Sequence, residues 1–292
     1  MKKNHATYLF AFALLFMFAC SFGQTAPMPV LAPEAANVPT EVPPVAPVIV
    51  ETPTAAFNGM SISVNGTSFV IPQGLASGTA VNMFPASPPT EDMPYWEIYP
   101  AYTEFALNNY LVQNTFHSAK IIIYPANEYA AMHEGAKQII GDLQSILANP
   151  GAPLPEHLPF LPLFNAAQMI RTNEQFVEFQ NGKGIRYLTQ YGQAPYPINN
   201  ESLFYTFQGM TSDGTYYVAA LLPINAAFLT QNGNPESPLP ADGVPFDWDN
   251  FENIEAHFNL VAQKLNANDP NAFTPTLPTL DALIQSITAG IQ

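Results

Sequence analysis

Proline sets the first limit on what this chain can fold into. Pro27, Pro29, Pro33, Pro39, Pro43, Pro44, Pro47 and Pro53 all fall between Gln24 and Ala55. Each removes a backbone donor and fixes φ, so neither a helix nor an internal strand survives at that density. The stretch also carries Glu34, Glu41 and Glu51 but no Lys or Arg. It favours extended polyproline II and reads as a spacer, with ~100 Å of reach if fully extended and ~30 Å as a coil. Disordered padding of the same composition is the alternative. A domain with a core has to begin after it, at about Phe57. Residues 57–292 are expected to form one domain, long enough to bury a substantial core.

The segment ahead of the spacer reads as an export signal. Lys2 and Lys3 are followed by the uncharged apolar run from Ala6 to Ala19. A spanning helix needs about 20 apolar residues, so this run is too short for an anchor and suits a signal peptide over residues 1–19. Cys20, the only cysteine, stands at its end. Met17-Phe18-Ala19-Cys20 resembles the lipobox of bacterial lipoproteins, although Phe18 is bulkier than the pattern usually has. The resemblance implies cleavage before Cys20, diacylglycerol on its thiol and a fatty acyl group such as palmitate on the new amine. Several acyl chains hold a protein firmly on a membrane without a spanning helix. Residues 20–56 are then the lipidation site and tether, and the protein is a membrane-anchored lipoprotein on the extracytoplasmic side. One alternative is secretion after cleavage at Ser21-Phe22-Gly23, with Gln24 first. Another makes Cys20 a small hydrophobe of the signal.

Charge excludes further classes. The chain has 23 acidic against 8 basic side chains, a formal charge of −15 and a pI of about 4.4. Nucleic-acid binding needs a basic stripe to displace counterions, and none is present. One cysteine excludes a disulfide scaffold.

Periodicity and turn chemistry give the coarse fold. Ser61–Val64 and Thr67–Ile71 flank Asn65-Gly66, a strong hairpin signal, and Pro72 ends the second strand. Residues 73–103 read as irregular. Lys120–Tyr124 is a β-branched strand before Pro125. Asn127–Ala148 carries Tyr129, Met132, Ala136, Ile139, Ile140, Leu143, Ile146 and Leu147 on one helical stripe. A Pro-rich loop with exposed Leu and Phe follows over residues 150–163. Met169–Gln180 and Ile185–Tyr191, then Leu203–Met210 and Thr215–Leu222, read as two hairpins. The second is apolar on both faces and belongs mid-sheet, with cover on each side. Asp249–Asn266 and Leu280–Ile287 are the covering helices. The expected class is α+β, an antiparallel sheet of about six strands packed between helices.

The segments from Phe179 to Gln193 and from Leu203 to Pro223 resemble a group of bacterial lipoproteins for which no activity is implied. The layout is similar to the sheet-and-helix sandwich of PsbP-like and Mog1-like domains, an architectural likeness that carries no function.

Chemistry is sparse. His133-Glu134 opens like a zinc-protease helix, but Lys137 stands where the second His is needed. His133 and Lys137 are expected on a solvated helix face, and His257 as a packing residue. His117 and His157 show no ligand spacing. Asp247-Trp248-Asp249-Asn250-Phe251-Glu252 is acidic enough for calcium, yet Phe251 occupies a ligand position. Acids at a helix start are the better reading. Gly182-Lys183-Gly184 joins two strands and makes no phosphate cradle, and Ser212 lies in a turn. No catalytic residue, metal site or cofactor is assigned.

The candidate ligand residues are therefore aromatic or guanidinium. Tyr95, Trp96 and Tyr99 cluster in a Pro-rich loop, where aromatic faces suit sugars or apolar partners. Arg186 would hold a ligand carboxylate through its planar fork, or else pair with a strand acid such as Glu174 or Glu178. Two functions fit. The first is a lipid-anchored binding, envelope-assembly or structural protein with an envelope protein or glycan as partner. The second is a surface or secreted hydrolase of envelope glycans or peptides, using carboxylates paired only in three dimensions.

Overall fold

The structure, a computed structural model, describes residues 57–290. The signal peptide, Cys20 and the Pro-rich spacer lie outside the described residues. The first strands are β1 (Gly59–Val64), β2 (Thr67–Pro72), β3 (Gly78–Phe84), β4 (Tyr102–Asn108) and β5 (Lys120–Pro125). Two helices, α1 (Ala126–Met132) and α2 (Glu134–Ala148), lead to β6 (Ala167–Phe179), β7 (Gly182–Gly192), β8 (Phe204–Thr211) and β9 (Tyr216–Pro223). The short β10 (Asn225–Ala226) and β11 (Phe273–Thr274) bracket α3 (Ile254–Ala267), and α4 (Leu277–Gln285) ends the domain.

The class is α+β. Seven antiparallel strands form one sheet in the order β3-β4-β5-β9-β8-β7-β6, where about six were expected. Two meanders, β3–β5 and β6–β9, meet where β5 pairs with β9. β3 lies in the stretch read as irregular. Its neighbouring prolines, Pro85, Pro88, Pro89, Pro94 and Pro100, all fall between β3 and β4. As an edge strand whose residues are all half-buried or exposed, β3 shows little of the alternation that identifies strands.

Local chemistry explains the hairpins. Asn65 (φ 49°) and Gly66 (φ 75°) both take the left-handed conformation that a two-residue turn between twisted strands needs. The β1–β2 hairpin is a separate two-stranded sheet, tied to the end of the chain by paired bonds between Ser68 and Thr288. In the β8–β9 turn, Asp213 accepts from the Thr211 hydroxyl (2.6 Å) and the Thr215 amide (3.0 Å), and Gly214 takes φ 72°.

The sheet divides two apolar layers. On one face Ile121, Tyr205, Phe207, Val218 and Leu222 meet Val261 and Leu265 of α3 and Leu280, Leu283 and Ile284 of α4. On the other, Ile122, Tyr187, Tyr217, Ala219 and Leu221 meet Tyr129, Ala136, Ile140 and Leu143 of α1 and α2. The β8–β9 hairpin is thus buried on both faces, as its apolar pattern predicts.

Three readings change. The helix expected over Asn127–Ala148 breaks at His133, whose backbone is extended (φ −142°, ψ 118°). Its ring Nδ1 accepts from the Ala136 amide at 3.2 Å, so His133 caps α2 and does not share a helix face with Lys137. The Pro-rich loop is not exposed at its end: Leu158, Phe160 and Leu161 are buried. Gln208 holds it from the sheet, accepting from the Leu161 amide and donating to its carbonyl, while the Tyr187 hydroxyl donates to Pro159. The third helix begins later than expected, after a 3-10 turn at Phe251–Asn253. Among the described residues no helix is long and apolar enough to cross a membrane.

Candidate functional site

The sequence candidates do not converge. Tyr95 and Trp96 are exposed and meet edge to face at 4.9 Å, and the Tyr95 hydroxyl donates to the Phe164 carbonyl at 2.8 Å. Tyr99 turns inward. It packs on Tyr102, which leans on Tyr124, which leans on Tyr129, with ring centroids 5.2, 4.9 and 5.0 Å apart. Burial pushes the Tyr102, Tyr124 and Tyr129 hydroxyls above their usual range. This ladder joins the loop to the core. Tyr95 and Trp96 leave it as an exposed aromatic pair without a pocket of its own among those described.

Arg186 lies on the other face of the sheet. It is 6% exposed. Its Nε donates to Asp281 Oδ1 (3.2 Å), one terminal nitrogen to Gln175 Oε1 (2.6 Å) and the other to the Asn173 carbonyl. The Tyr205 hydroxyl also donates to Asp281, at 2.9 Å. Burial pushes the Asp281 carboxyl up, against the pull of Arg186 and Tyr205. Arg186 is ion-paired, but with an acid from α4 and not with the strand acids Glu174 or Glu178. Glu174 instead stands 3.4 Å from Arg171. The guanidinium fork is filled by protein acceptors, which leaves no free edge for a ligand.

Other polar residues have structural partners. Lys183 donates to the Leu147 carbonyl at the end of α2 (3.1 Å), where a cation complements the helix dipole. Asp247 accepts from the amides of Asp249 and Asn250, both at 3.1 Å, so its carboxylate organises the turn before α3. His257 is buried against Phe246 and bonded through Nδ1 to the Pro245 carbonyl at 2.9 Å. Among the described residues no group of three His, Cys, Asp or Glu side chains is placed to hold a metal.

A concavity lies elsewhere, along the edge of β6 that no strand among the described residues covers. A cleft of about 760 Å³ opens there, within the ~300–1,000 Å³ typical of ligand sites. Its floor is β6 from Ala167 to Arg171, with Glu174 beyond. One wall is α3, through Ile254, Glu255, Phe258, Asn259 and Ala262. The other sides are the Gly192–Pro195 turn and Glu156 with His157 from the Pro-rich loop. Two irregularities in the β6–β7 ladder, at Gln168/Ile170 and Thr172/Gln175, shape the floor. At the second, Asn173 takes φ 55°, its amide donates to Asn266 Oδ1 (2.7 Å) and its side chain donates to the Leu265 carbonyl (3.2 Å). The Thr172 hydroxyl donates to the Ala262 carbonyl. These bonds pin the C-terminal half of α3 to the strand, and the N-terminal half faces the cleft.

Sequence reasoning missed most of this site. Glu156 and Glu174 lie far along the chain from Glu255 and Asn259, which share one turn of α3, and no local motif links the three segments. The one available signal was on α3, where Ile254 and Phe258 share a helical spacing with Val261 and Leu265 but are less deeply buried and line the cleft. No protein-family model, no curated protein and no solved structure matches the chain.

Proposed function

We propose that this is an exported lipoprotein, anchored through Cys20, whose domain binds an envelope partner in the cleft between β6 and α3. The cleft carries the binding reading: it joins an open strand edge, apolar Phe258 and Ile254, and polar Glu156, Glu255 and Asn259 in one concavity. Convergent polar groups beside apolar side chains are what ligand sites use for orientation and affinity, and this cleft is the more polar kind, with Gln168, Arg171, Glu174 and Gln193 on it as well. Lys2, Lys3, the apolar Ala6–Ala19 run and Cys20 support export and lipidation. The likeness to bacterial lipoproteins belongs to the same reading and brings no activity with it. Tyr95 and Trp96 are a secondary contact surface for a large partner, since exposed aromatic pairs supply area at low entropic cost.

Radiolabelled palmitate tests the anchor. The wild-type chain takes up label, sediments with membranes and begins at an acylated Cys20, whereas Cys20→Ser does none of these. An unlabelled protein beginning at Gln24 replaces the anchor with secretion. A photo-reactive side chain at Asn259 tests the cleft in cells: it captures envelope material that the same group on exposed Glu134 does not.

A hydrolase is the second reading, favoured by one observation. Glu156, Glu174 and Glu255 line the same cleft, and paired carboxylates are the working parts of glycan hydrolysis. Release of reducing ends from envelope glycan by the wild type, abolished by Glu255→Gln or Glu156→Gln, would move the assignment to an enzyme.

A further inference from the structure

We infer that the occupant of this cleft is an extended, basic polypeptide segment laid along the free edge of β6. The inference rests on the reading of the cleft as the binding site and names its partner class. Among the described residues β6 is the last strand of the sheet and pairs only with β7. Among the described residues no backbone bond from another element reaches it between Ala167 and Arg171. A strand edge left open in this way offers main-chain donors and acceptors to an incoming strand.

The cleft straddles that edge. α3 covers one face of the sheet and supplies one wall, while Glu156 and His157 belong to the loop on the opposite face, tied to β6 by the Leu158 amide on Gln168 Oε1 (3.1 Å). A groove floored by a strand edge and walled from both faces fits an extended chain better than a compact ligand. The two bulges confine pairing to the short stretch between them, so main-chain bonds alone bind weakly and charge has to add to them.

The charge is one-sided. Three carboxylates, Glu156, Glu174 and Glu255, face the cleft against one guanidinium, Arg171, which already stands 3.4 Å from Glu174. The whole chain, at −15, repeats the same sign. Lys or Arg side chains of a partner therefore gain from the cleft and from the long-range field, which speeds their approach.

The test uses the full chain and two octapeptides, alternating Val-Lys and alternating Val-Glu, titrated by calorimetry. Val-Lys binds, and Val-Glu binds at least about tenfold more weakly, as opposed charge at a rim predicts. Asn259→Trp, which fills the exposed groove, and Glu255→Lys, which reverses an exposed charge, each weaken Val-Lys by about tenfold; moving from about 50 to about 200 mM salt weakens it further. When Val-Lys is bound, amide hydrogen exchange slows at whichever of Ile170 and Arg171 turns its N–H away from β7. Equal binding of the two peptides, binding indifferent to Asn259→Trp, or binding without slowed exchange overturns the inference. If Val-Lys fails to bind while the photo-reactive group at position 259 captures glycan, the occupant is wrong and the cleft remains the site. If position 259 captures nothing beyond the Glu134 control, the site itself is wrong.

Discussion

Removing the guanidinium of Arg186 leaves the largely buried Asp281 carboxylate without its cation. Asp281, Gln175 and the Asn173 carbonyl lose a shared donor, and Asp281 keeps only Tyr205. Breaking a buried pair from one side costs about 3–5 kcal/mol, while replacing both partners with apolar groups is often neutral. Arg186→Met is expected to lose that much in urea unfolding, and Arg186→Met with Asp281→Leu to recover most of it. A loss below ~1 kcal/mol in the single variant, the value of an exposed pair, would show that water reaches the site. His117 supplies a pH-dependent counterpart. Its ring lies flat on Phe164 (5.2 Å, 2°) and edge-on to Phe204 (4.7 Å). Burial, and then the nearby Lys120 charge, lowers its pKa to about 4. Between about 6.5 and about 4 the unfolded chain binds a proton that the folded ring refuses, so stability falls as the pH drops through that window, by up to about 3 kcal/mol. Burial lowers His257 too, and that contribution stays in the variant. His117→Phe should therefore flatten the stability curve between pH 6.5 and 4 without levelling it; identical slopes for the two proteins would remove His117 from the account.

Among the elements, the junction of β6 with α3 decides whether the cleft exists. Asn173 takes a left-handed conformation that a β-branched residue resists, and it supplies two of the bonds that hold the helix. Asn173→Val is expected to cost about 2 kcal/mol from backbone strain and a lost side-chain bond. The α3 amides should then exchange faster than those of α2, as hydrogen exchange would read. Asn173→Gly keeps the conformation and loses only the side-chain bond, so it falls between wild type and Val. Unchanged exchange in α3 with Val would mean that Val261 and Leu265 alone dock the helix. The contact also shows where sequence reading stops. The β8–β9 hairpin was legible because Asp213 and Gly214 make its turn locally and its apolar residues alternate onto two buried faces. The α2 stripe was legible for the same reason, at helical spacing. The break at His133 was not, since both flanking segments keep the spacing and only the cap bond to Ala136 distinguishes it. The cleft was not either, because Asn173 meets Leu265 across 92 positions and periodicity carries no information at that range.

At the scale of the whole molecule, the cations among the described residues are all committed. Of the six within the described residues, Lys120, Lys137, Arg171, Arg186 and Lys264 pair with Glu104, Glu134, Glu174, Asp281 and Asp242, and Lys183 bonds the Leu147 carbonyl. The remaining carboxylates have no cation left to meet, so the domain repels itself and anything acidic. That makes selection of partners partly a property of the whole surface and partly of the cleft. It also fixes the sign of the salt response. Salt weakens the exposed pairs, which are worth ~0–1 kcal/mol each, and at the same time screens the excess of 23 acidic over 8 basic side chains. Lys137–Glu134 is largely in solvent and contributes little, and Arg186–Asp281 is buried and scarcely screened. Relief of repulsion therefore dominates. Raising the salt from about 10 to about 150 mM at neutral pH should increase stability by ~1 kcal/mol, which moves the melting temperature up by ~2–4 °C in a domain of this size. A melting temperature that falls with salt would place the stabilising electrostatics in the surface pairs instead, and a cationic partner would then have to compete with those pairs for the same carboxylates.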